Sequence, residues 1–289
     1  MGQSQNITNH PTPSSSPGTR ATAHLSNPSK DFSVQRLLND PNLKWQSLGH
    51  IVSSDTNLCN FQIANARVNG KDVVIFRYQD KRLPKDQYVG GIVEKVNDTP
   101  VTGGFKGRYD GDWYQPWQAA WIISAGKSGE VKLQGAETKI TVLNRLNEKS
   151  YSTNENLGLT YSRWEYALLG AKPGVNIDRV HDYKSDCFAK EIGLRQGDVI
   201  VGFYYHNSKG EPGGMWGIES KADLEALLRA MKLFPQEFAY VRFLVKPPDL
   251  GVEDVTYDYP ANADRCASHW FKYDPKREEF VKTSPPPEN

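Results

Sequence analysis

The chain of 289 residues is long enough for about two domains of roughly 150 residues each. Its 35 basic and 34 acidic residues leave a net charge of +1, so charge gives no reason to expect nucleic acid or an anionic membrane as a partner. No apolar run approaches the roughly 20 residues of a membrane-spanning helix, so no embedded membrane segment is expected.

The two ends of the chain are predicted to be disordered. Residues 1–30 contain no aromatic and no acidic residue, so this leader buries too little surface to offset the entropy of ordering. The start also lacks the apolar core of a signal peptide. Residues 248–289 are predicted as a C-terminal extension with a hairpin over 270–273 and 279–282 and a Pro-rich disordered tail.

The first half, residues 31–148, is predicted to be an α+β domain with one main helix. Two β-rich runs, 61–68 and 72–78, flank Asn69-Gly70, a pair typical of a type I′ hairpin turn. Further strands are predicted at 92–96, 131–133 and 139–143, and a helix at 113–125.

The second half, residues 149–247, is predicted to repeat this mainly β pattern. Strands are expected at 157–163, 175–180, 198–205 and 238–245, and a short helix at 185–192. Ser220 is a suitable N-cap for a helix over 220–231, in which Leu224, Leu227, Leu228 and Met231 share one face. The glycine-rich stretch 209–217 is predicted to be a loop.

Residues 156–247 resemble a bacterial-type PDZ domain. The pairs Gly193-Leu194 and Gly197-Asp198 match the core signature of that family, where a short helix ends and a buried strand begins. The helix over 220–228 is similar to the helix that walls the family's peptide groove, and Leu157-Gly158-Leu159 is similar to its carboxylate-binding loop.

The resemblance implies a groove that binds extended peptides or protein C-termini. A peptide would pair with the strand edge at 159–163, and a terminal carboxylate would meet backbone N–H groups near Gly158. The implied peptide-binding residues are Leu157, Gly158, Leu159, Thr160, Tyr161, Leu224 and Leu228. The alternative is that these leucines are core, or that the long loop 205–218 covers the groove.

The first half is either a degenerate second PDZ copy or a divergent α+β domain. Gly90-Gly91 opens a strand much as Gly197-Asp198 does, which favours a tandem arrangement. The helix ending in Gly-Leu has no counterpart there, which favours the divergent domain.

Three tryptophans, Trp113, Trp117 and Trp121, are candidates for an aromatic surface that binds sugar rings or a partner protein. Trp117 and Trp121 are four residues apart and share a helix face. The same pattern is typical of a buried core face.

No motif predicts catalysis, a metal site or a cofactor. The histidines lack H-x-x-x-H or H-E-x-x-H spacing, and G-x-S-x-G, D-[TS]-G and phosphate-loop motifs are absent. Cys59, Cys187 and Cys266 form no C-x-x-C pair. The leading hypothesis is a non-enzymatic peptide- or protein-binding module.

Two other functions stay open: a regulatory or substrate-recruiting part of a proteolytic system, and a surface or carbohydrate-binding protein that uses the Trp-rich segment. The PDZ resemblance weakly favours an extracytoplasmic location, periplasmic or secreted. The residues leave the ligand sequence and the oligomeric state open.

Overall fold

A computed structural model describes residues 34–85, 87–102, 113–127, 129–136, 139–165, 173–181, 188–246 and 265–287. The predicted leader, residues 1–30, lies outside these ranges. None of the helices in the described parts of the chain has the length and apolarity needed to cross a bilayer.

The fold is mostly β, with two antiparallel sheets and few helices. This confirms the predicted class, a mainly β α+β protein, but not the finer PDZ-like architecture. The first sheet has eight strands: β1 Gln46–Ser47, β2 Ile51–Ser53, β3 Leu58–Val68, β4 Lys71–Asp80, β5 Tyr88–Val96, β6 Thr99–Pro100, β7 Gly129–Leu133 and β8 Ile140–Asn144. Their order across the sheet is β1-β3-β4-β5-β7-β8-β2, with β6 beside β5.

The second sheet has nine strands and includes the predicted C-terminal hairpin. They are β9 Ser152–Asn154, β10 Leu159–Arg163, β11 Val175–Val180, β12 Val199–His206, β13 Pro212–Gly217, β14 Tyr240–Lys246, β15 Arg265–Cys266, β16 Trp270–Asp274 and β17 Glu279–Thr283. Their order is β17-β16-β14-β12-β11-β10-β9, with β13 beside β12 and β15 beside β14.

Three helices have defined bounds: α1 Pro116–Ala125, α2 Phe188–Glu191 and α3 Lys221–Leu233. A further short helical stretch covers 34–38. The predicted cap of α3 is confirmed, because the Ser220 hydroxyl accepts from the Asp223 backbone N–H at 3.2 Å. Helix α1 ends at Gly126, whose φ of 67° closes the helix in the left-handed conformation.

The Asn69-Gly70 turn also forms as predicted. Both residues have positive φ, 52° and 77°, and Val68 pairs with Lys71 directly beside the turn. The loop predicted over 209–217 is wrong, because Pro212–Gly217 pairs with β12 as β13. Phe203 lies opposite Trp216 in this hairpin, and such aromatic cross-strand pairs stabilise a strand despite its glycines.

Helices α1 and α3 lie at the junction of the two halves and pack against each other. One continuous cluster of buried side chains runs from the first sheet, through both helices, into the second sheet. The chain crosses between the sheets after β8 and before β9, the region where a domain boundary is predicted. The two halves thus share a core at their junction.

Candidate functional site

The residues predicted to form the peptide groove are brought together, but they are buried. Leu157, Leu159, Tyr161, Leu224 and Leu228 are each at most 3% exposed. The Tyr161 hydroxyl donates to the Glu225 carboxylate at 3.2 Å, which joins β10 to α3. These side chains are buried between strand and helix in this structure, which favours the alternative that they are core; their part in peptide binding stays a prediction.

The strand edge expected to receive a peptide is paired with another part of the chain. Strand β9 runs antiparallel to β10, with Asn154 opposite Leu159, Thr153 opposite Thr160 and Ser152 opposite Tyr161. A peptide can add to β10 on this side only where β9 leaves the edge free or moves away.

The predicted carboxylate loop has the expected backbone but no spare donors. Gly158 has φ of 68°, in the left-handed region that favours glycine. Its N–H donates to the Glu155 carbonyl at 3.2 Å, and the Leu157 N–H donates to the Asn154 side chain at 3.1 Å. These N–H groups close the β9–β10 turn instead of facing a ligand.

The segment before β9 is held against the start of α3 by a fully buried lysine. The Lys221 ammonium donates to the carbonyls of Asn147, at 2.7 Å, and Ser150. The Lys221 backbone N–H donates to the Glu148 carboxylate at 3.4 Å. Since a buried ammonium without acceptors is costly, this contact fixes the connection between the two halves.

The Trp-rich segment packs at the junction instead of forming a surface. Trp117 is 2% exposed, and its ring contacts the rings of Tyr205, Trp216 and Phe238 at centroid distances of 5.4, 5.2 and 5.1 Å. The indole N–H of Trp121 donates to the Asp223 carbonyl at 3.1 Å. Trp113 is partly exposed.

An open cleft of about 740 Å³ lies at the junction and draws its walls from both halves. Its walls are the tip of the β3–β4 hairpin, the start of α1, Lys209 in the β12–β13 turn and residues 234–237 after α3. Clefts of roughly 300–1,000 Å³ between structural units are the usual place for ligands of modest size. We call this site the junction cleft.

Two wall residues of the junction cleft carry a buried oxygen without a hydrogen-bond partner. One is Oδ1 of Asn65, whose Nδ2 donates to the Leu233 carbonyl at 3.0 Å. The other is Oε1 of Glu237. Both oxygens are shielded from solvent, so the groups of Asn65 and Glu237 that a ligand in the cleft can reach are their remaining, exposed parts.

Charges of both signs line the junction cleft. Burial, with the nearby charges of Asp72 and Glu211, raises the pKa of Glu237 to about 7. Lys71 and Lys209 also line the cleft, and neither forms an ion pair with an acidic residue in the described ranges. The cleft therefore holds uncompensated cations together with a carboxyl group that is half protonated near neutral pH.

The ends of two helices meet at the cleft. Helix α1 begins there, with its positive dipole end, and α3 ends there, with its negative end. Gln118 partly caps α1, since its side-chain oxygen accepts from the Gln115 backbone N–H at 2.8 Å, while the Gln115 side chain accepts from the Trp117 indole. The helix dipoles thus add a partial positive charge at the start of α1 and a partial negative charge at the end of α3 to the charges in the cleft.

Sequence reasoning did not find this cleft, because its residues come from four separate segments with no shared motif. The one available signal was Glu237, an acidic residue directly before the apolar run 238–245 that the sequence predicts as a strand. Among the described residues, no three His, Cys, Asp or Glu side chains are grouped to hold a metal ion. Cys59 and Cys266 are free thiols, and Cys187 lies outside the described residues.

Comparisons of the chain with protein-family profiles, with curated proteins and with solved structures found no match in any of the three. The resemblance to PDZ domains, single or tandem, therefore stays a prediction.

Proposed function

We propose that the protein is a non-enzymatic binding module whose ligand is a peptide bound in the junction cleft. The observation that carries the proposal is the open cleft of about 740 Å³ between the two halves, whose walls combine amide, charged and apolar side chains. A peptide main chain supplies N–H donors and C=O acceptors at regular intervals, which the amide and charged groups of such walls can bind.

The other walls of the cleft also suit a peptide. Gln115 and Gln236 line it with amide groups, which can both donate to and accept from a peptide bond. Pro116, Trp117 and Phe234 are largely buried and contribute the small exposed edges of their apolar side chains. This combination of a few polar groups on an apolar wall is typical of ligand sites that fix an orientation.

A blocking variant tests the location of the site. Gln236 is exposed at the cleft, so Gln236→Trp is expected to fill the cleft without disturbing the core. Gln134→Trp, at an exposed turn of the first sheet, is the matched control. Peptides selected from a random library on the native protein should bind with about micromolar affinity, bind the Gln134→Trp variant equally and lose at least roughly tenfold with Gln236→Trp.

Two results would contradict this proposal. One is a folded sample that enriches no peptide from the library. The other is a set of selected peptides that bind the Gln236→Trp variant as tightly as they bind the native protein.

The groove between β10 and α3 is the second candidate site for the same function. The observation that favours it is the shortness of β9, whose three residues are all that pair with the outer edge of β10. A ligand strand would have to replace Ser152–Asn154. Loss of peptide binding in Gly158→Val, but not in Gln236→Trp, would move the site to this groove.

A further inference from the structure

We propose that the ligand of the junction cleft is a short peptide with both termini free, whose ammonium group lies at the Glu237 carboxyl and whose carboxylate lies at the lysines. This inference rests on the proposed function and narrows its ligand from any peptide segment to a zwitterion.

The cleft contains unbalanced charge of each sign. Lys71 and Lys209 pair with no acidic residue in the described ranges, so an anionic group of the ligand would neutralise them. Glu237 also lines the cleft and pairs with no cation among the described residues, so a ligand ammonium at its carboxyl group would compensate its charge. A ligand with a charge of only one sign would neutralise either the lysines or Glu237, but not both.

The groups around Glu237 favour a cation there over an anion. The charges that raise its pKa are those of Asp72, on β4, and Glu211, in the β12–β13 turn, and both are acidic. Tyr205, on β12, is neutral, since burial raises its pKa further above its usual range. Glu237 also follows the C-terminal end of α3, where the helix dipole attracts positive charge.

The size of the cleft limits the length of the ligand. Glu237, Lys71 and Lys209 line a single cleft of about 740 Å³, a volume that suits a compact ligand. A short peptide can therefore place both of its charged ends at groups of this one cleft, whereas an internal segment of a folded protein has no charged ends to place there.

An ammonium group at the Glu237 carboxyl should cause protons to be released on binding, an effect that an affinity measurement alone does not detect. Glu237 is about half protonated near pH 7, and an ammonium at its carboxyl favours the ionised form. Binding should therefore release protons at pH 7 and should strengthen as the pH rises from about 6 to about 7, above which the ligand ammonium, with a pKa of about 8, itself begins to lose its proton. A ligand carboxylate at Glu237 would reverse the sign, because the protonated acid would then be the donor.

Four forms of one tripeptide, alanyl-leucyl-alanine, test the inference by calorimetry. They are the free peptide, the N-acetyl peptide, the C-terminal amide and the doubly blocked peptide. We expect the free peptide to bind at least roughly tenfold more tightly than either singly blocked form, and to release protons when buffers of different ionisation enthalpy are compared.

Two variants assign the ends of the peptide. Glu237→Gln should abolish proton release and remove the preference for the free peptide over its N-acetyl form. Lys209→Gln should reduce the preference for the free peptide over its amide. Glu148→Gln is the matched control for the first, since Glu148 also has a buried unpartnered oxygen but lies outside the cleft. Lys85→Gln, at an exposed position, is the control for the second.

The failures of the two proposals are distinguishable. Equal binding of all four peptides, lost in Gln236→Trp, would overturn the zwitterion inference and keep the peptide-binding function. Absence of binding by all four forms, together with an empty library selection, would overturn both. Tighter binding of the free peptide with proton uptake would overturn the assigned orientation.

Discussion

The ammonium group of Lys127, just after helix α1, lies 2.9 Å from the fully buried carboxylate of Asp223 in the first turn of α3. This ion pair connects the end of α1 to the start of α3. The junction cleft lies at the other end of the same pair of helices, where α1 begins and α3 ends. The two helices are therefore antiparallel, and the orientation of one against the other shapes the cleft.

Removing this ion pair should destabilise the whole protein. Lys127→Met leaves the Asp223 carboxylate buried without its cation, at a cost of about 1–2 kcal/mol, because part of the lysine is exposed and backbone donors remain. The free energy of unfolding from chemical denaturation measures the effect. Lys139→Met is the control, since its ion pairs with Asp98 and Glu130 are exposed and should contribute less than about 1 kcal/mol. Equal effects of the two substitutions would show that the Lys127 pair is no stronger than a surface pair.

The segment before β9, which connects the two halves, should resist proteolysis because its backbone carbonyls bind the Lys221 ammonium. Tyr151 is 71% exposed, but the neighbouring carbonyl of Ser150 accepts from the buried Lys221 ammonium. Lys221→Met should therefore speed chymotrypsin cleavage after Tyr151 relative to cleavage elsewhere, because proteases need an extended, released backbone. Lys149→Met, an exposed neighbour, should leave the rate unchanged. Rapid cleavage of the native protein at Tyr151 would contradict this description.

The pH dependence of stability should carry a contribution from Glu237. Its pKa is about 7 in the folded protein against an ordinary 4.5, so the folded state binds more protons between these values and stability falls as the pH rises through them. Glu237→Gln removes this pH-dependent loss of stability, because glutamine does not titrate. The stability of the variant relative to the native protein should therefore increase by on the order of 3 kcal/mol between about pH 4 and about pH 8. A difference that stays constant over this range would show that Glu237 is not desolvated.

Local patterns were enough to predict many of the elements. Asn69-Gly70 specifies its turn through two residues that tolerate positive φ, and Ser220 specifies the start of α3 through one hydrogen bond. Each of these depends on residues close in sequence. Strand β13 was not predicted, because its glycines suggest a loop and only its pairing with β12 makes it a strand.

The candidate site depends on long-range packing, which local patterns do not specify. The spacing of Trp117 and Trp121 shows that they share a helix face, but whether that face is covered depends on Trp216 and Phe203 in the other half. The edge of β10 is likewise open or closed according to where β9 lies. Asn65 and Glu237 are far apart in sequence, so only the packing of the two halves brings them into one cleft.

The indole N–H resonances of the protein provide the most direct test of the junction cleft as the ligand site. Trp117 lines the cleft and its indole N–H donates to the Gln115 side chain, whereas the Trp121 indole donates to the Asp223 carbonyl between the helices. Titration of ¹⁵N-labelled protein with free alanyl-leucyl-alanine should shift the Trp117 resonance in a saturable way and leave that of Trp121 in place. A saturable shift elsewhere in the chain with an unmoved Trp117 resonance would contradict the assignment of the ligand to this cleft.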